Sequence, residues 1–204
     1  MKQSVVGNNG SLSKEEFEAA SNQDYDEKSW KPLIDFFWNR YNKRYFLPIK
    51  ALQDHTDFEI RNNCGFLVAS IDCILIETLE QYYTGQDESL GKLHDPFYSF
   101  FKRSKAFKGA IENDQDAGKF AGLVRSGLLH QSKTKKASVI NKKNSTPIIG
   151  WIDPSDKNKG FEINRDLFHS NVHEEYKNLI KNLKSSNNVD LREKFKSKIQ
   201  TIIE

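Results

Sequence analysis

Cysteine is scarce in this sequence, and its scarcity bears on the compartment. The chain of 204 residues has two cysteines, Cys64 and Cys73. Both fall on one predicted helix and point to opposite sides of it, so they cannot form a disulfide bond with each other. We therefore expect two buried thiols and a reducing, cytoplasmic environment.

Long hydrophobic runs are also missing. The longest run, from Cys64 to Ile76, is too short to cross a bilayer and contains Asp72. Near the N-terminus, Val5 and Val6 are followed at once by polar residues, which predicts no signal peptide. The sequence has neither a glycine-rich nucleotide loop nor the Cys/His spacing of a zinc site. We expect no membrane partner, no cofactor and no metal.

Acidic residues are absent from one long stretch. Between Ala117 and Ile152 there is no Asp or Glu, although 28 acids in 204 residues would place about five there. The same stretch carries seven positive charges, at Lys119, Arg125, Lys133, Lys135, Lys136, Lys142 and Lys143. This basic block predicts attraction to phosphate, with the six lysines binding RNA. The alternative is a solvated lysine loop.

What is present favours a helical fold. Charged residues make up 29% of the chain and prolines number five, which is typical of a soluble, largely helical protein. We expect residues 1–24 to form a flexible arm or one short helix, and residues 25–204 to form a single all-α helical bundle. Short β-type runs between about 137 and 163 predict a small β-hairpin or meander. Two helices, about 165–184 and 188–203, should close the chain.

Two earlier helices show clear periodicity. Six residues recur at helical spacing, namely Leu33, Phe36, Phe37, Tyr41, Arg44 and Tyr45. Their aromatic members predict a core stripe, with a stacking platform as the alternative. A longer helix, from about residue 57 to 83, has an apolar face that comprises Leu67, Val68, Ile71, Ile74, Leu75, Leu79 and Tyr82. The opposite stripe comprises Phe66, Ser70, Cys73, Glu77 and Glu80. Glu77 and Glu80 could hold Arg125 or orient His130, or they could be simply solvated.

The stretch from Ala117 to Gln131 is the candidate functional helix. Its core face is formed by Phe120, Leu123, Val124 and Leu128, and Asp114 or Asp116 should cap it. At about 100° per residue, Arg125 and His130 lie on either side of that face. The arc between them carries the small residues Gly118, Gly122 and Ser126, together with Leu129. We expect the identical helix of a second copy to pack on this arc, although the helix that bears Ser70 and Cys73 could fill it instead.

Arg125-Ser-Gly-Leu-Leu-His130 resembles the Arg-x(4–6)-His motif of the HEPN superfamily. The upstream helix, with Asn63-Cys64-Gly65 and Glu77-Thr-Leu-Glu80, is similar to the same group, and the resemblance covers about residues 25–135. Ser126 departs from the pattern, because active members commonly have Asn, Asp or His after the arginine. The resemblance implies a metal-independent endoribonuclease with Arg125 and His130 as catalytic residues. It further implies a homodimer with a composite site, 2′,3′-cyclic phosphate products, and a defence or toxin–antitoxin context with an antitoxin or defence-system partner.

The chemistry of the two residues agrees with that implication. A histidine with an ordinary pKa near 6.5 can act as base or acid at neutral pH, and an arginine can neutralise a phosphorane. One alternative is an inactive HEPN-like module that binds RNA, nucleotide or a partner protein. Another is a helical adaptor unrelated to the family, which would leave the basic block unexplained.

The remaining histidines receive weaker interpretations. His169 and His173 are spaced to bind a metal from one helix face, but no third ligand is evident, so we predict a surface pair. His55 and His94 fall in polar, loop-prone stretches, and we assign them no role.

Overall fold

The computed structural model describes residues 12–21, 26–86, 94–143, 145, 147–185 and 187–203. The protein is mostly helical with one small three-stranded sheet. Its helices are α1 (Lys14–Ser21), α2 (Glu27–Tyr41), α3 (Leu47–Gln53), α4 (Phe58–Asn63), α5 (Gly65–Thr84), α6 (Asp95–Arg103), α7 (Asp114–Phe120), α8 (Ser126–Gln131), α9 (Arg165–Leu183) and α10 (Val189–Ile203). Its strands are β1 (Val139–Asn141), β2 (Ile149–Trp151) and β3 (Phe161–Asn164). Among the described residues, no helix is long and apolar enough to cross a membrane.

The described residues divide into two compact units. Unit 1 takes those within Met1–Ala51, Gln81–Glu88 and Tyr176–Glu204, and unit 2 takes those within Leu52–Glu80 and Ser89–Glu175. We expected a single domain over residues 25–204, and the division into two units does not test that prediction. All the candidate site residues belong to unit 2.

Unit 1 is built on an aromatic core. Phe37 stacks on Tyr176 with ring centroids 5.5 Å apart and meets the edge of Tyr82 at 4.8 Å. The Tyr41 hydroxyl donates a hydrogen bond of 3.2 Å to the Tyr82 hydroxyl. Burial raises the pKa of Tyr41 to about 12, so this phenol is neutral at physiological pH. The aromatic stripe of α2 is therefore core, as the sequence predicts.

Helix α1 belongs to the same core. Ser13 Oγ accepts from the Glu16 N–H at 3.1 Å and Glu16 Oε2 accepts from the Ser13 N–H at 2.9 Å, a reciprocal cap that starts the helix. Phe17 and Ala20 are buried. Residues 14–21 thus form the short helix that was the alternative to a flexible arm. Residues 1–11 and 22–24 of the expected arm lie outside the described part of the chain.

Unit 2 has a core of phenylalanines. The Phe120 ring contacts Phe97, Phe101 and Phe161, with centroids 5.2, 5.1 and 5.7 Å away. Because Phe97 and Phe101 come from α6 and Phe161 from β3, this ring ties the candidate functional helix to both. Phe120 is therefore a core residue, as the sequence predicts.

The small sheet differs from the expected hairpin or meander. Strand β3 is central, with β2 antiparallel on one edge and β1 parallel on the other. Among the described strands, only β2 and β3 form an antiparallel pair, so the hairpin covers part of the sheet and a meander is wrong. Gly160 permits the join before β3, because its φ is +105° and an added Cβ would lie 2.2 Å from Ser138 Oγ. That hydroxyl accepts the Phe161 N–H at 3.1 Å.

The long helix buries only part of its predicted apolar face, namely Val68, Leu75, Leu79 and Tyr82. It breaks at Cys64, and α5 ends before Gly85, whose φ of +73° provides the expected stop. Leu67 and Ile74, predicted to be core, are 50% and 40% exposed. The buried positions also include Asp72, Cys73 and Glu80, which lie outside the predicted apolar face. The hydrophobic periodicity of the sequence correctly predicts this helix. Which of its side chains are buried depends also on polar partners from other helices.

Asp72 finds such a partner in a histidine that we expected on the surface. His169 is buried, and its Nδ1 lies 2.7 Å from Asp72 Oδ1. The predicted surface pair of His169 and His173 is therefore wrong for His169. Burial raises the pKa of Asp72, and the hydrogen bond from His169 opposes that shift.

Candidate functional site

The candidate functional helix is three helical segments in continuous succession. Helix α7 is followed by a π-helical turn, Ala121–Arg125, and then by α8. The cap is Asn113, whose Oδ1 accepts the Asp116 N–H at 2.9 Å, so the predicted caps Asp114 and Asp116 instead occupy the first turn. A π turn accommodates one more residue than an α turn, so the even 100° projection does not hold across residues 121–125.

The core face of this helix is largely as predicted. Phe120, Val124 and Leu128 are buried, whereas Leu123 is half-buried and borders a cleft. The apolar contacts of these residues fix the helix in unit 2 and leave its other side for polar groups. The polar site residues are therefore positioned by a well-packed support.

Arg125 is held by Glu77 of α5. Its Nε donates to Glu77 Oε1 at 2.7 Å and its Nη2 donates to Glu77 Oε2 at 3.2 Å. Both side chains are 17% exposed. This fork fixes the plane of the guanidinium, and Nη1 has no hydrogen-bond partner within the described ranges. Of the possibilities considered for Glu77, the structure shows the contact with Arg125.

Glu80 lies in a different cluster. It pairs with Arg103, which also donates to Glu175 Oε2 at 3.0 Å, and the Ser104 hydroxyl donates to Glu175 Oε1 at 2.7 Å. Burial raises the pKa of Glu80, and the charge of Arg103 opposes this shift. The geometry therefore engages Glu80 with Arg103 and not with Arg125 or His130.

Cys73 is the third α5 side chain near this region. Burial raises the pKa of its thiol well above the ordinary value, Asp72 and Glu77 add to the shift, and Arg125 acts against it. The thiol is therefore protonated at neutral pH, and Cys73 is buried as we expected.

His130 and Ser126 occupy α8. His130 is exposed, and its ring nitrogens have no hydrogen-bond partner in the described part of the chain. Ser126 is half-buried one residue after Arg125. An exposed imidazole with both nitrogens available can take up or give a proton to a bound ligand.

The chain then folds back against the helix that it has just left. Ser132 is left-handed with φ of 53°, and the Lys135 N–H donates to the Leu123 carbonyl at 2.8 Å. Gly127 permits this approach, since an added Cβ would lie 2.4 Å from the Lys133 carbonyl oxygen. Lys133, Lys135 and Lys136 are thus held beside the candidate helix by backbone contacts.

The six lysines of the basic block fall into separate places. Lys119 and Lys136 border a cleft of about 810 Å³, which is lined by His94, Asp114, Gln115, Gly118, Lys119, Gly122, Leu123, Lys136 and Asn158. Lys142 and Lys143 border a second cavity of about 310 Å³ together with Arg165. Lys119 also lies over the Trp151 ring, 5.8 Å from its centroid. Four of the six lysines therefore line two separate cavities.

The small-residue arc opens onto the larger cleft. Gly118 and Gly122 both line it, and a Cβ added at Gly122 would meet no atom within 4 Å. At Gly118 the nearest group is the His94 ring, 3.9 Å from an added Cβ. The alternative in which α5 fills this arc is therefore wrong at these two glycines. Ser126 and Leu129, both half-buried, are not part of the cleft lining.

His94 is the residue that sequence reasoning missed. It borders the cleft, and its Nε2 lies 3.0 Å from Asp114 Oδ1 and 3.8 Å from Asp95 Oδ1. Asp114 was considered only as a helix cap. No motif spacing relates His94 to Asp114, because α6 and the turns that follow it separate these residues in the sequence.

No protein-family model, curated protein or solved structure matches the chain. The HEPN resemblance therefore rests on the residues themselves and stays a prediction.

Proposed function

We propose that the protein is a metal-independent endoribonuclease of HEPN type that acts in a defence or toxin–antitoxin context. The observation that carries the proposal is the way in which Arg125 is hydrogen-bonded. Glu77 fixes its guanidinium through Nε and Nη2, while Nη1 remains available to a phosphate oxygen. His130 follows on the same helix with an exposed imidazole. A preorganised cation and a titratable group on one rigid support are what phosphodiester cleavage requires.

The proposed reaction is an internal transfer within the RNA backbone. A base removes the 2′-OH proton, and the 2′-oxygen forms a bond to phosphorus while the bond from phosphorus to the 5′-oxygen breaks. An acid then gives a proton to that 5′-oxygen, which leaves as a hydroxyl, and the other product ends in 2′,3′-cyclic phosphate. His130 exchanges the proton, and Arg125 neutralises the charge that develops on the phosphorane.

One protomer supplies one Arg125 and one His130, whereas the reaction needs both a base and an acid. We therefore propose a homodimer in which a second copy of the candidate helix lies along the arc of Gly118, Gly122, Ser126 and Leu129. The open space at Gly122 supports this arrangement, because a neighbouring helix could approach the backbone there. Twofold symmetry would place two arginines and two histidines around one groove.

A second candidate function is an inactive module that binds RNA or a partner protein. The observation that favours it is the same ion pair, because Glu77 neutralises Arg125 as it would a purely structural arginine. In that case Lys119 and Lys136 would bind phosphate at the cleft without cleavage. Under this hypothesis, substitution of Arg125 or His130 would leave RNA affinity unchanged.

The experiment that separates these functions is RNA cleavage by purified protein in the presence of EDTA. Arg125→Ala and His130→Ala should each abolish cleavage, while Arg44→Ala and Gln131→Ala, at exposed positions, should leave it unchanged. Circular dichroism checks that every variant remains helical. Wild-type protein that binds RNA but leaves it intact would support the inactive module, and full cleavage by both site variants would remove Arg125 and His130 from the mechanism.

A further inference from the structure

Three potential metal ligands converge at the rim of the larger cleft. His94 directly precedes α6, Asp95 is the first residue of α6, and Asp114 is the first residue of α7. Their ligand atoms all lie within 4.8 Å of one another, with His94 Nε2 3.0 Å from Asp114 Oδ1 and 3.8 Å from Asp95 Oδ1. Two helix starts thus bring together one imidazole nitrogen and two carboxylate oxygens.

The direction of these atoms argues against a simple hydrogen bond. His94 Nε2 has almost no contact with solvent and makes no hydrogen bond of acceptable geometry among the described residues, although Asp114 Oδ1 is 3.0 Å away. The oxygen therefore lies near the nitrogen but off the axis along which it donates or accepts. A cation bound by both atoms would satisfy this buried nitrogen, which otherwise lacks a partner among the described residues.

The separations between these ligand atoms fit a shared cation. Nitrogen and oxygen ligands lie about 2.0–2.2 Å from a transition-metal ion such as Zn²⁺, which places neighbouring ligands about 3–3.6 Å apart. The observed 3.0 and 3.8 Å are close to that range. An imidazole with two carboxylates favours Zn²⁺ or Mn²⁺ over Mg²⁺ or Ca²⁺, which prefer oxygen ligands alone.

We propose that His94, Asp95 and Asp114 bind one divalent transition-metal cation at the rim of the cleft. The two carboxylates balance its charge, and the cleft gives it a route from solvent. Three protein ligands leave further coordination positions open. The side chains of Lys119 and Lys136, which also border the cleft, would favour an anionic ligand such as phosphate at those positions. The site takes no part in the proton transfers assigned to Arg125 and His130, so it stands or falls independently of the proposed ribonuclease activity.

The test is metal binding by the full chain after removal of metals with EDTA. Isothermal titration with Zn²⁺, and electron paramagnetic resonance with Mn²⁺, should each reveal one site per protomer. His94→Ala and Asp114→Asn should each lower the metal affinity by more than about tenfold. Loss of a residue that only hydrogen-bonds to a metal ligand already lowers metal affinity by about 10–100-fold. Asp114 is exposed, so its substitution by Asn should leave α7 folded.

A control variant separates this site from the pair formed by His169 and His173. His173→Ala should leave the stoichiometry and affinity unchanged, because His169 is engaged with Asp72 and the pair is not expected to bind metal. Wild-type protein without a site would overturn the proposal and leave His94 and Asp114 as an ion pair. Loss of binding in the His173 variant, or binding that survives His94→Ala, would also overturn it.

Discussion

The ion pair between Arg125 and Glu77 permits a direct separation of structural from catalytic roles. An exposed pair contributes at most about 1 kcal/mol, whereas breaking a fully buried pair costs about 3–5 kcal/mol. Since both side chains are 17% exposed, we expect Arg125→Ala to lower the free energy of unfolding by about 2 kcal/mol, mainly because a shielded Glu77 carboxylate loses its partner. Cleavage should be lost in the same variant.

The informative comparison is the double variant Arg125→Ala with Glu77→Gln. Removing the unpaired charge should restore most of the lost stability, to within about 0.5–1 kcal/mol of wild type, but it should not restore cleavage. Urea unfolding followed by both circular dichroism and tryptophan fluorescence measures the first quantity, and an RNA cleavage assay measures the second. Arg44→Ala, at an exposed position, should stay within about 0.5 kcal/mol of wild type.

One result would refute the catalytic assignment. If cleavage returns together with stability in the double variant, Arg125 acts only through the fold. An Arg125→Ala protein as stable as wild type would instead refute the estimate of the pair's contribution.

Three further predictions follow from the same contacts. Charge reversal at Lys133, Lys135 and Lys136 should weaken RNA binding and flatten the dependence of its affinity on salt, which fluorescence anisotropy over a salt series measures. An unchanged salt dependence would mean that these lysines face solvent and do not contact RNA. Gly122→Leu should yield folded, inactive monomers by analytical ultracentrifugation, because its side chain enters open space within the protomer; an active wild-type monomer would contradict the shared site. Because burial raises the pKa of Asp72 above its ordinary 3.8, the native fold favours the protonated carboxyl, so stability from this group is lost as pH rises through the folded pKa. The stability of Asp72→Asn relative to wild type should therefore increase from about pH 4 to pH 7 in urea unfolding, and a difference that is constant with pH would contradict this.

Elements with strong local signals were predictable from the sequence. Asp95-Pro96 marks the start of α6, Gly85 marks the end of α5, and the two closing helices fall within one or two residues of their predicted bounds. These features depend on residues close together in the chain, such as a proline in a first turn or a glycine with positive φ.

Features that depend on distant partners were not predictable. Glu77 and Glu80 share one stripe of α5 and look equivalent in the sequence, yet one meets Arg125 and the other Arg103. Asp72 is buried because His169 comes to it from α9, and periodicity carries no information about such a partner. The central place of β3 likewise depends on a parallel pairing across more than twenty residues.

The π turn at Ala121–Arg125 also bears on how this helix tolerates changes in length. A π turn is an α-helix that holds one surplus residue without displacing the segments on either side. Losing one residue from within it would leave a regular helix, with Phe120 before it and His130 after it close to their present orientations. The same loss elsewhere in α7 or α8 would turn everything beyond it by about 100° and carry His130 away from its present side of the helix. Deletion of one residue that the site does not use should therefore be tolerated better within this turn than elsewhere in the helix.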